Sequence, residues 1–433
     1  MHTLKSGASV RTSAAQIPRS VAARRNGWSR YVQPSRLTTT LQRFPVTFAV
    51  LVPYVALILP LAIWNQNPSI GYIVGIGSIA VASCFTIELL TGPRSGRRYP
   101  STNAVEYGRG IYKLAVASII VSSAVSVLAA YSGKGSVAAQ IGLVDGSGPI
   151  STLDSLVGGW GILAIGLLLT AYLGDQCSRR ELFGNILVLV VGNLAEVYFT
   201  GRTAPQLEMI TFLATILLLL GVIRVRVALV ALVVVLVVWP TTFELRNQLR
   251  MEAGVTVDAN VSAFDRIRFD EQIARAEVLE PPVTVDYDGV LQHPGVFEFL
   301  RFGLVPRVLD PDRKLVSTGL VLNVALGGST TSAFTFLPVT NTYVLEGPVF
   351  LVIWYAALAL FVLAVWRNGK SITPMRMMVL ALVLSGPLGW FSTYPDRVIG
   401  VLQSLVSGIP LFVAVAMIHA RSARRRRSVN EVE

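Results

Sequence analysis

This chain of 433 residues is poor in charge, cysteine and histidine. Only 14% of its residues are charged and 53% are hydrophobic, whereas a typical soluble domain carries about 25% charge. The two cysteines, Cys84 and Cys177, have no plausible external partner, so no disulfide framework is expected. The three histidines are scattered without metal-ligand spacing, which argues against a zinc site. We therefore expect no cofactor.

Nucleotide-binding signatures are missing too. The sequence contains no GxxxxGK[ST] loop and no GxGxxG following a strand, which disfavours an ATP-driven pump. The formal charge of +12 does not indicate a nucleic-acid partner, because the basic residues are concentrated at the ends of hydrophobic segments. The first hydrophobic run is a full-length span, so no cleavable signal peptide is predicted.

What the chain has in abundance is long hydrophobic runs. A membrane-spanning helix needs about 20 apolar residues. Ten segments meet this length approximately, with the sixth and seventh divided by Arg224 and Arg226. They lie at about 45–64, 70–92, 111–131, 156–174, 182–200, 205–223, 225–241, 348–366, 375–393 and 398–419. We predict an all-α polytopic membrane protein of about ten transmembrane helices.

Basic residues mark alternate connections between these segments. The first 43 residues hold eight Lys or Arg and no acid, and the C-terminus carries Arg421 and Arg424 to Arg427. By the positive-inside rule, both termini are cytoplasmic, in agreement with an even number of spans. The expected location is therefore the inner (plasma) membrane. The predicted regions are a basic tail 1–43, helices 1–7 in 44–241, a loop 242–347, helices 8–10 in 348–420 and a basic tail 421–433.

The loop between helices 7 and 8 is predicted to be extracytoplasmic. It holds 14 of the 25 acidic residues and nine Lys or Arg. Residues 261–278 are expected to be helical, with i, i+4 ion pairs Arg266/Asp270 and Glu271/Arg275. Aromatic residues such as Phe264 and Phe269 indicate that the loop packs against the membrane domain.

A series of short motifs follows in this loop. An Arg-bearing segment (Asp265 to Arg268) precedes Leu304-Val-Pro-Arg-Val-Leu-Asp-Pro-Asp-Arg-Lys314, and Pro338-Val-Thr-Asn-Thr-Tyr343 leads into the next span. Together with Gly201-Arg202 in the turn between the fifth and sixth spans, this order resembles the Wzy-type oligosaccharide repeat-unit polymerases, the O-antigen polymerase-like family. The chain departs from the family pattern in two places, since Leu315 follows Lys314 and Thr342 precedes Tyr343.

The resemblance implies polymerisation of undecaprenyl-diphosphate-linked repeat units into surface polysaccharide at the outer leaflet. It also implies a lipid-linked oligosaccharide substrate, a chain-length regulator and a flippase as partners. Arginine forks and lysine charges suit a diphosphate and can stabilise it as a leaving group. The substrate-binding candidates are accordingly Arg202, Arg268, Arg307, Lys314 and Tyr343.

A base must deprotonate the acceptor hydroxyl, and a carboxylate is the expected type. Glu196 stands out because it lies near the outer end of an apolar span, where a charge is costly and often functional. Its alternative role is an ion pair with Arg202. Asp265 is a second candidate base, and Asp310 and Asp312 compete with it. Arg268 has an alternative role in ion pairs with Asp265 and Glu271, and Arg397 in a local pair with Asp396.

Other functions remain open from the sequence. An O-antigen ligase would use the same lipid donor and a similar large loop. A peptidoglycan polymerase of the shape and division kind has a comparable arrangement of spans. A transporter or flippase would perform no catalysis, although the concentration of hydrophilic residues in one loop disfavours it.

Overall fold

The structure is a computed structural model. It describes residues 36–91, 109–136, 139, 148–202, 204–254, 262–283, 300–301, 304–305, 309–310, 318–328, 336–367 and 373–430. Within these ranges every regular element is helical and none is a strand, which confirms the all-α class.

The α-helices are numbered here in chain order within the described ranges. They are α1 (Arg36–Arg43), α2 (Pro45–Trp64, with a π-helical turn at Tyr54–Ile58), α3 (Ile70–Thr91), α4 (Gly110–Tyr131), α5 (Pro149–Val157), α6 (Trp160–Leu173), α7 (Arg179–Thr200), α8 (Ala204–Leu219), α9 (Val225–Glu252), α10 (Phe269–Ala274), α11 (Thr318–Ala325), α12 (Leu337–Arg367), α13 (Pro374–Ser385), α14 (Asp396–Ser407) and α15 (Ile409–Asn430).

Seven helical units among the described residues are long and apolar enough to cross a membrane. They are α2, α3, α4, the combined α5–α6 unit, α7, α9 and α12. Their number supports a multi-pass membrane protein. The bent pair α14–α15 brings the count to eight if it forms one span, so ten full-length spans are not confirmed.

Three predicted spans depart from a regular transmembrane helix. Helix α8 has 16 residues and ends before a turn at Gly221, whose φ of +68° favours glycine. Helix α13 has only 12 residues, and α14 meets α15 at an angle of 48°. At 1.5 Å per residue, α8 and α13 are shorter than the roughly 30 Å hydrocarbon layer. These spans were predicted from apolar composition, and apolar composition does not show where a helix ends.

The core is built around α6, a helix whose residues from Gly161 to Leu173 are almost all buried. It packs between α4 and α13. A Cβ on Gly166 would lie 2.7 Å from the backbone of Met377 and Met378, so glycine is needed for this close approach. Around this centre α7 packs on α4, and α12 packs on α3.

An irregular, largely buried segment, 386–395, follows the short helix α13. Its first residue, Gly386, leaves no room for a side chain, because a Cβ would lie 2.3 Å from Val401 Cγ2 and 2.9 Å from the Leu382 carbonyl oxygen. Non-helical backbone at membrane depth is tolerated where protein surrounds it. The segment therefore connects α13 to α14 inside the protein rather than at a lipid-facing surface.

The helices that flank the predicted loop have boundaries that differ from the predicted loop bounds of 242–347. Helix α9 runs on to Glu252, and α12 begins at Leu337, with a break at Gly347 (φ +85°) just before Pro348. The single helix predicted over 261–278 is wrong, because the chain forms two 3₁₀ turns, Asp265–Ile267 and Arg275–Val278, on either side of α10. Arg268 has ψ of +67° and interrupts the helix there. We refer to the end of the bundle where α9 ends and α12 begins as the loop end.

Part of this region does pack on the membrane helices, as its aromatic residues predicted. Phe269 is buried, with its ring centroid 5.0 Å from that of Phe391, and α10 contacts α2 and α3. Phe264, in contrast, is exposed. Residues 262–283 thus pack over the loop end of the bundle.

Candidate functional site

Six charged side chains at the loop end are linked to one another by ion pairs or by electrostatic interaction, and we call them the charged cluster. They come from the α4–α5 connection, α5, α7, the α7–α8 turn, α8 and α14. Its members are Lys134, Asp154, Glu196, Arg202, Glu208 and Arg397.

The α7–α8 turn positions the first two candidates, Glu196 and Arg202. Helix α7 starts with a capping box at Ser178 and ends at Gly201, whose φ of +66° closes the helix. The Thr200 hydroxyl donates to the Glu196 carbonyl oxygen at 2.9 Å and accepts from the Arg202 amide at 3.3 Å. The helix end therefore holds both residues in one rigid turn.

Arg202 extends from this turn towards the end of α4. Its Cζ would lie 3.2 Å from a Cβ on Gly135, a residue with φ of +68°. Arg202 is an exposed residue. Nearby protein atoms nevertheless lower its pKa by desolvation, while Glu196 opposes this shift and Arg397 adds to it. Arginine stays protonated at neutral pH even so. Arg397, from a distant part of the chain, therefore lies within electrostatic range of Arg202.

Arg397 forms an ion pair with Glu208 of α8. The Glu208 side chain is largely buried, whereas Arg397 is partly open. The sequence predicted a local pair between Arg397 and Asp396. Asp396 instead accepts hydrogen bonds from the Thr318 amide, at 3.3 Å, and from the Thr318 hydroxyl. This contact fastens the start of α11 beside Arg397.

Lys134 and Asp154 complete the cluster on its other side. Their ion pair is 2.6 Å long, and Asp154 also accepts from the Ser126 hydroxyl at 2.6 Å. The carboxylates of Asp154 and Glu208 therefore each form an ion pair, with Lys134 and Arg397 respectively. Among the described residues, Glu196 is the carboxylate of the cluster that has no cation within 4 Å, although Arg202 and Lys134 influence it electrostatically. That leaves Glu196 as the carboxylate best placed to accept a proton.

Arg268 lies in a second ionic group, at the α2–α3 turn. Its guanidinium is 3.4 Å from Asp270 and 3.2 Å from Glu271. Asp270 is fully buried and also accepts from the side-chain amides of Asn65 and Asn67, both at 3.3 Å. The anticipated pairing of Arg268 with Glu271 is confirmed, as is the pair Glu271/Arg275 at 2.8 Å. Arg268 thus helps fix α10 to the membrane helices.

Asp265 is exposed and forms two reciprocal hydrogen bonds with Ser262. The Asp265 amide donates to the Ser262 hydroxyl at 3.2 Å, and the Ser262 amide donates to the Asp265 carboxylate at 2.7 Å. These contacts hold the pKa of Asp265 below its usual range. A general base works best with a pKa near the operating pH, so this geometry favours Glu196 over Asp265. Asp310, another acid considered, pairs with Arg301 at 2.7 Å.

Tyr343 is partly buried against Tyr72, with ring centroids 6.2 Å apart in an edge-on arrangement. Its neighbours Thr340, Asn341 and Thr342 are fully buried, and Asn341 accepts from the Phe336 amide at 3.0 Å. The start of α12 is therefore packed into the bundle.

Arg307 and Lys314, the first choices for diphosphate contacts, lie outside the described residues, as does Asp312. Their role stays a prediction.

Sequence reasoning missed Glu208, Lys134 and Asp154. Glu208 could have been found by the argument used for Glu196, because it too is an acid inside a predicted apolar span. The pair Lys134/Asp154 carried no such signal, since charged residues in a polar connection are ordinary. In the described part of the chain, no three His, Cys, Asp or Glu side chains group as a metal site would require.

No protein-family model, curated protein or solved structure matches this chain.

Proposed function

We propose that this protein is an integral membrane glycosyltransferase that polymerises lipid-diphosphate-linked oligosaccharide repeat units at the outer leaflet. The observation that carries the proposal is the convergence of Arg202, Arg397 and Glu196 at the loop end. Two arginines match a diphosphate, and a carboxylate without a close cation matches the base.

In this proposal each residue has a defined task. The acceptor hydroxyl attacks the anomeric carbon of the donor glycan, and its proton passes to the Glu196 carboxylate. The bond between the anomeric carbon and the diphosphate oxygen breaks, and the lipid diphosphate leaves. Arg202 and Arg397, together with Arg307 and Lys314 of the loop, stabilise the negative charge on the departing diphosphate. No nucleotide is consumed, because the lipid diphosphate is itself the activated group.

The tie between Thr318 and Asp396 supports a role for the loop in the same site. Thr318 lies four residues after Lys314 in the sequence and is hydrogen-bonded to the residue next to Arg397. Thr318 itself is thereby held beside the charged cluster. We propose the loop as one wall of the site and the α7–α8 turn as the opposite wall, with both chain termini in the cytoplasm.

Genetic complementation tests the proposal. A strain that lacks the protein is expected to accumulate lipid-linked single repeats and to lose long polysaccharide. Wild-type protein and the control Arg275→Ala, which alters an exposed pair with Glu271, should restore it, whereas Arg202→Ala and Glu196→Gln should not. Full-length polysaccharide in the deletion strain would refute the proposal.

A second candidate function is a flippase, and one observation favours it. Transporters often carry discontinuous helices at the substrate site, and here α13 stops after 12 residues while α14 and α15 are bent by 48°. Vesicles holding the purified protein and a lipid-linked repeat distinguish the two. Longer glycans indicate a polymerase, and movement across the bilayer without new glycosidic bonds indicates a flippase. Transfer to a different lipid acceptor would indicate a ligase instead.

A further inference from the structure

A long apolar groove begins at the end of the bundle opposite the charged cluster and runs along α8 as far as Ile210. It has a volume of about 590 Å³ and an almost wholly apolar wall, formed by α1, α2, α3, α8 and α9. Phe44, Phe85, Leu218 and Leu229 line it, and Trp390 of the irregular segment is also part of the wall. In a protein that spans a membrane, hydrocarbon rather than water is the natural filling of such a space.

One end of this groove is bordered by arginines from two separate segments. The Arg43 guanidinium lies 5.2 Å from the ring centroid of Phe44, which lines the groove. Val225, another lining residue, stands between the exposed Arg224 and Arg226 at the start of α9. A hydrogen bond of 3.0 Å from the Gln42 side chain to the Leu219 carbonyl oxygen joins α1 to the end of α8. The three arginines are therefore at the same end of the groove.

One acid among the described residues at this end, Glu88, accepts hydrogen bonds from the backbone of α2. Glu88 of α3 is buried and accepts from the amides of Val46, at 2.8 Å, and Thr47, at 3.1 Å. The negative charge of Glu88 thus lies at the N-terminal end of α2, where it interacts favourably with the helix dipole. The exposed Arg224 and Arg226 therefore present positive charge beside the apolar groove.

We propose that the groove binds one anionic glycerophospholipid of the cytoplasmic leaflet. An acyl chain occupies the groove, and the phosphate lies between Arg43 of α1 and the arginines Arg224 and Arg226. Basic pockets between membrane helices on the cytoplasmic side are suited to anionic headgroups, and arginine binds phosphate by paired hydrogen bonds. The inference does not rest on the proposed transferase chemistry, because the arginines that would hold the phosphate lie at the end of the bundle opposite the charged cluster.

Fluorescence quenching of Trp390 tests the site in the full chain. The protein is reconstituted in phosphatidylcholine vesicles with a minor fraction of either brominated phosphatidylglycerol or brominated phosphatidylcholine. The difference between wild type and Trp390→Phe isolates the signal of Trp390. We expect brominated phosphatidylglycerol to quench Trp390 at much lower mole fractions than brominated phosphatidylcholine.

The variant Arg224→Gln/Arg226→Gln should lower this preference about tenfold or more, given the usual contribution of arginines near an anionic surface. The matched control Arg179→Gln/Arg180→Gln removes two exposed arginines at the start of α7 and should retain the preference. Ala228→Phe, which fills the groove, should abolish quenching by either lipid. Equal quenching by both lipids in the wild type, or none, would overturn the proposal. Relief of quenching by a polyprenyl phosphate would also overturn it, in favour of a substrate chain.

Discussion

Arg397 at the start of α14 and Glu208 in α8 form an ion pair across 189 residues of sequence. The pair joins the bent α14–α15 unit to the short helix α8, two of the elements that depart from regular spans. It also holds Arg397 within electrostatic range of Arg202. The candidate site therefore depends on a tertiary contact between the least regular parts of the bundle.

Variants of this ion pair should distinguish the contribution of Arg397 to stability from its contribution to activity. Arg397→Ala leaves the largely buried Glu208 carboxylate without its cation. Removing one partner of a buried pair costs about 3–5 kcal/mol, but because the Arg397 side chain is 42% exposed we expect only about 1–2 kcal/mol. Arg397→Ala/Glu208→Gln should recover membrane abundance without recovering polymer formation. Recovery of both would show that Arg397 acts only as a structural partner.

The contact between Arg202 and Gly135 gives a second prediction. Gly133 and Gly135 both have positive φ, +97° and +68°, but a Cβ on Gly133 meets nothing within 4 Å, whereas one on Gly135 meets the Arg202 guanidinium. The backbone cost of alanine, about 1–2 kcal/mol, applies to both. Only Gly135→Ala should displace the Arg202 guanidinium, by a few tenths of an ångström, and we expect it to lower polymerisation by up to about 10-fold relative to Gly133→Ala.

The comparison is made at equal membrane abundance, with polymer formed per unit of protein as the readout. Equal activity of the two variants would contradict the prediction that the contact with Gly135 positions Arg202 for activity.

The buried carboxylate of Asp270 should matter for stability more than its exposed neighbour. Asp270→Ala leaves the side-chain amides of Asn65 and Asn67 and the Arg268 guanidinium without their shared acceptor. The expected loss is about 2–3 kcal/mol, and it should appear as a lower Tm in detergent. Glu271→Ala, which removes exposed pairs, should cost about 0.5 kcal/mol or less. A Tm for Asp270→Ala that matches Glu271→Ala would show that α10 is not fixed through this residue.

The close approach of α6 and α13 yields a prediction for the core. Gly166→Ala would place a Cβ 2.7 Å from the Met377 carbonyl oxygen, and neither backbone can move easily. We expect a loss of about 3 kcal/mol and poor accumulation in the membrane. Gly184→Ala is the control, because Gly184 is also helical and a Cβ there meets nothing within 4 Å; it should change stability by less than about 1 kcal/mol. Similar Tm values would contradict the packing described for α13.

The sequence was sufficient to predict the membrane class and most of the apolar helices, because span length and hydropathy are local properties. It was not sufficient for α8 and α13, whose ends depend on Gly221 and Gly386 and on tertiary packing. The helix expected over 261–278 failed for a related reason. Asp270 turns inwards to Asn65 and Asn67, and the chain breaks at Arg268 to allow it.

The candidate site was predicted only in part. An acid in an apolar span identified Glu196, and an arginine in a tight turn identified Arg202, because both are unusual in their local context. Arg397 resembled half of a local pair with Asp396, and its partner Glu208 lay in a distant helix. Pairings of this kind depend on which helices are neighbours, and hydropathy carries no information about that.

The most direct test of the central claim uses purified protein in vesicles with lipid-diphosphate-linked single repeats. The account predicts a ladder of longer glycans on the lipid, formed without nucleotide, that is lost in Glu196→Gln and Arg202→Ala and retained in Arg275→Ala. Single repeats that stay single with the wild-type protein would contradict it, whether or not they cross the bilayer.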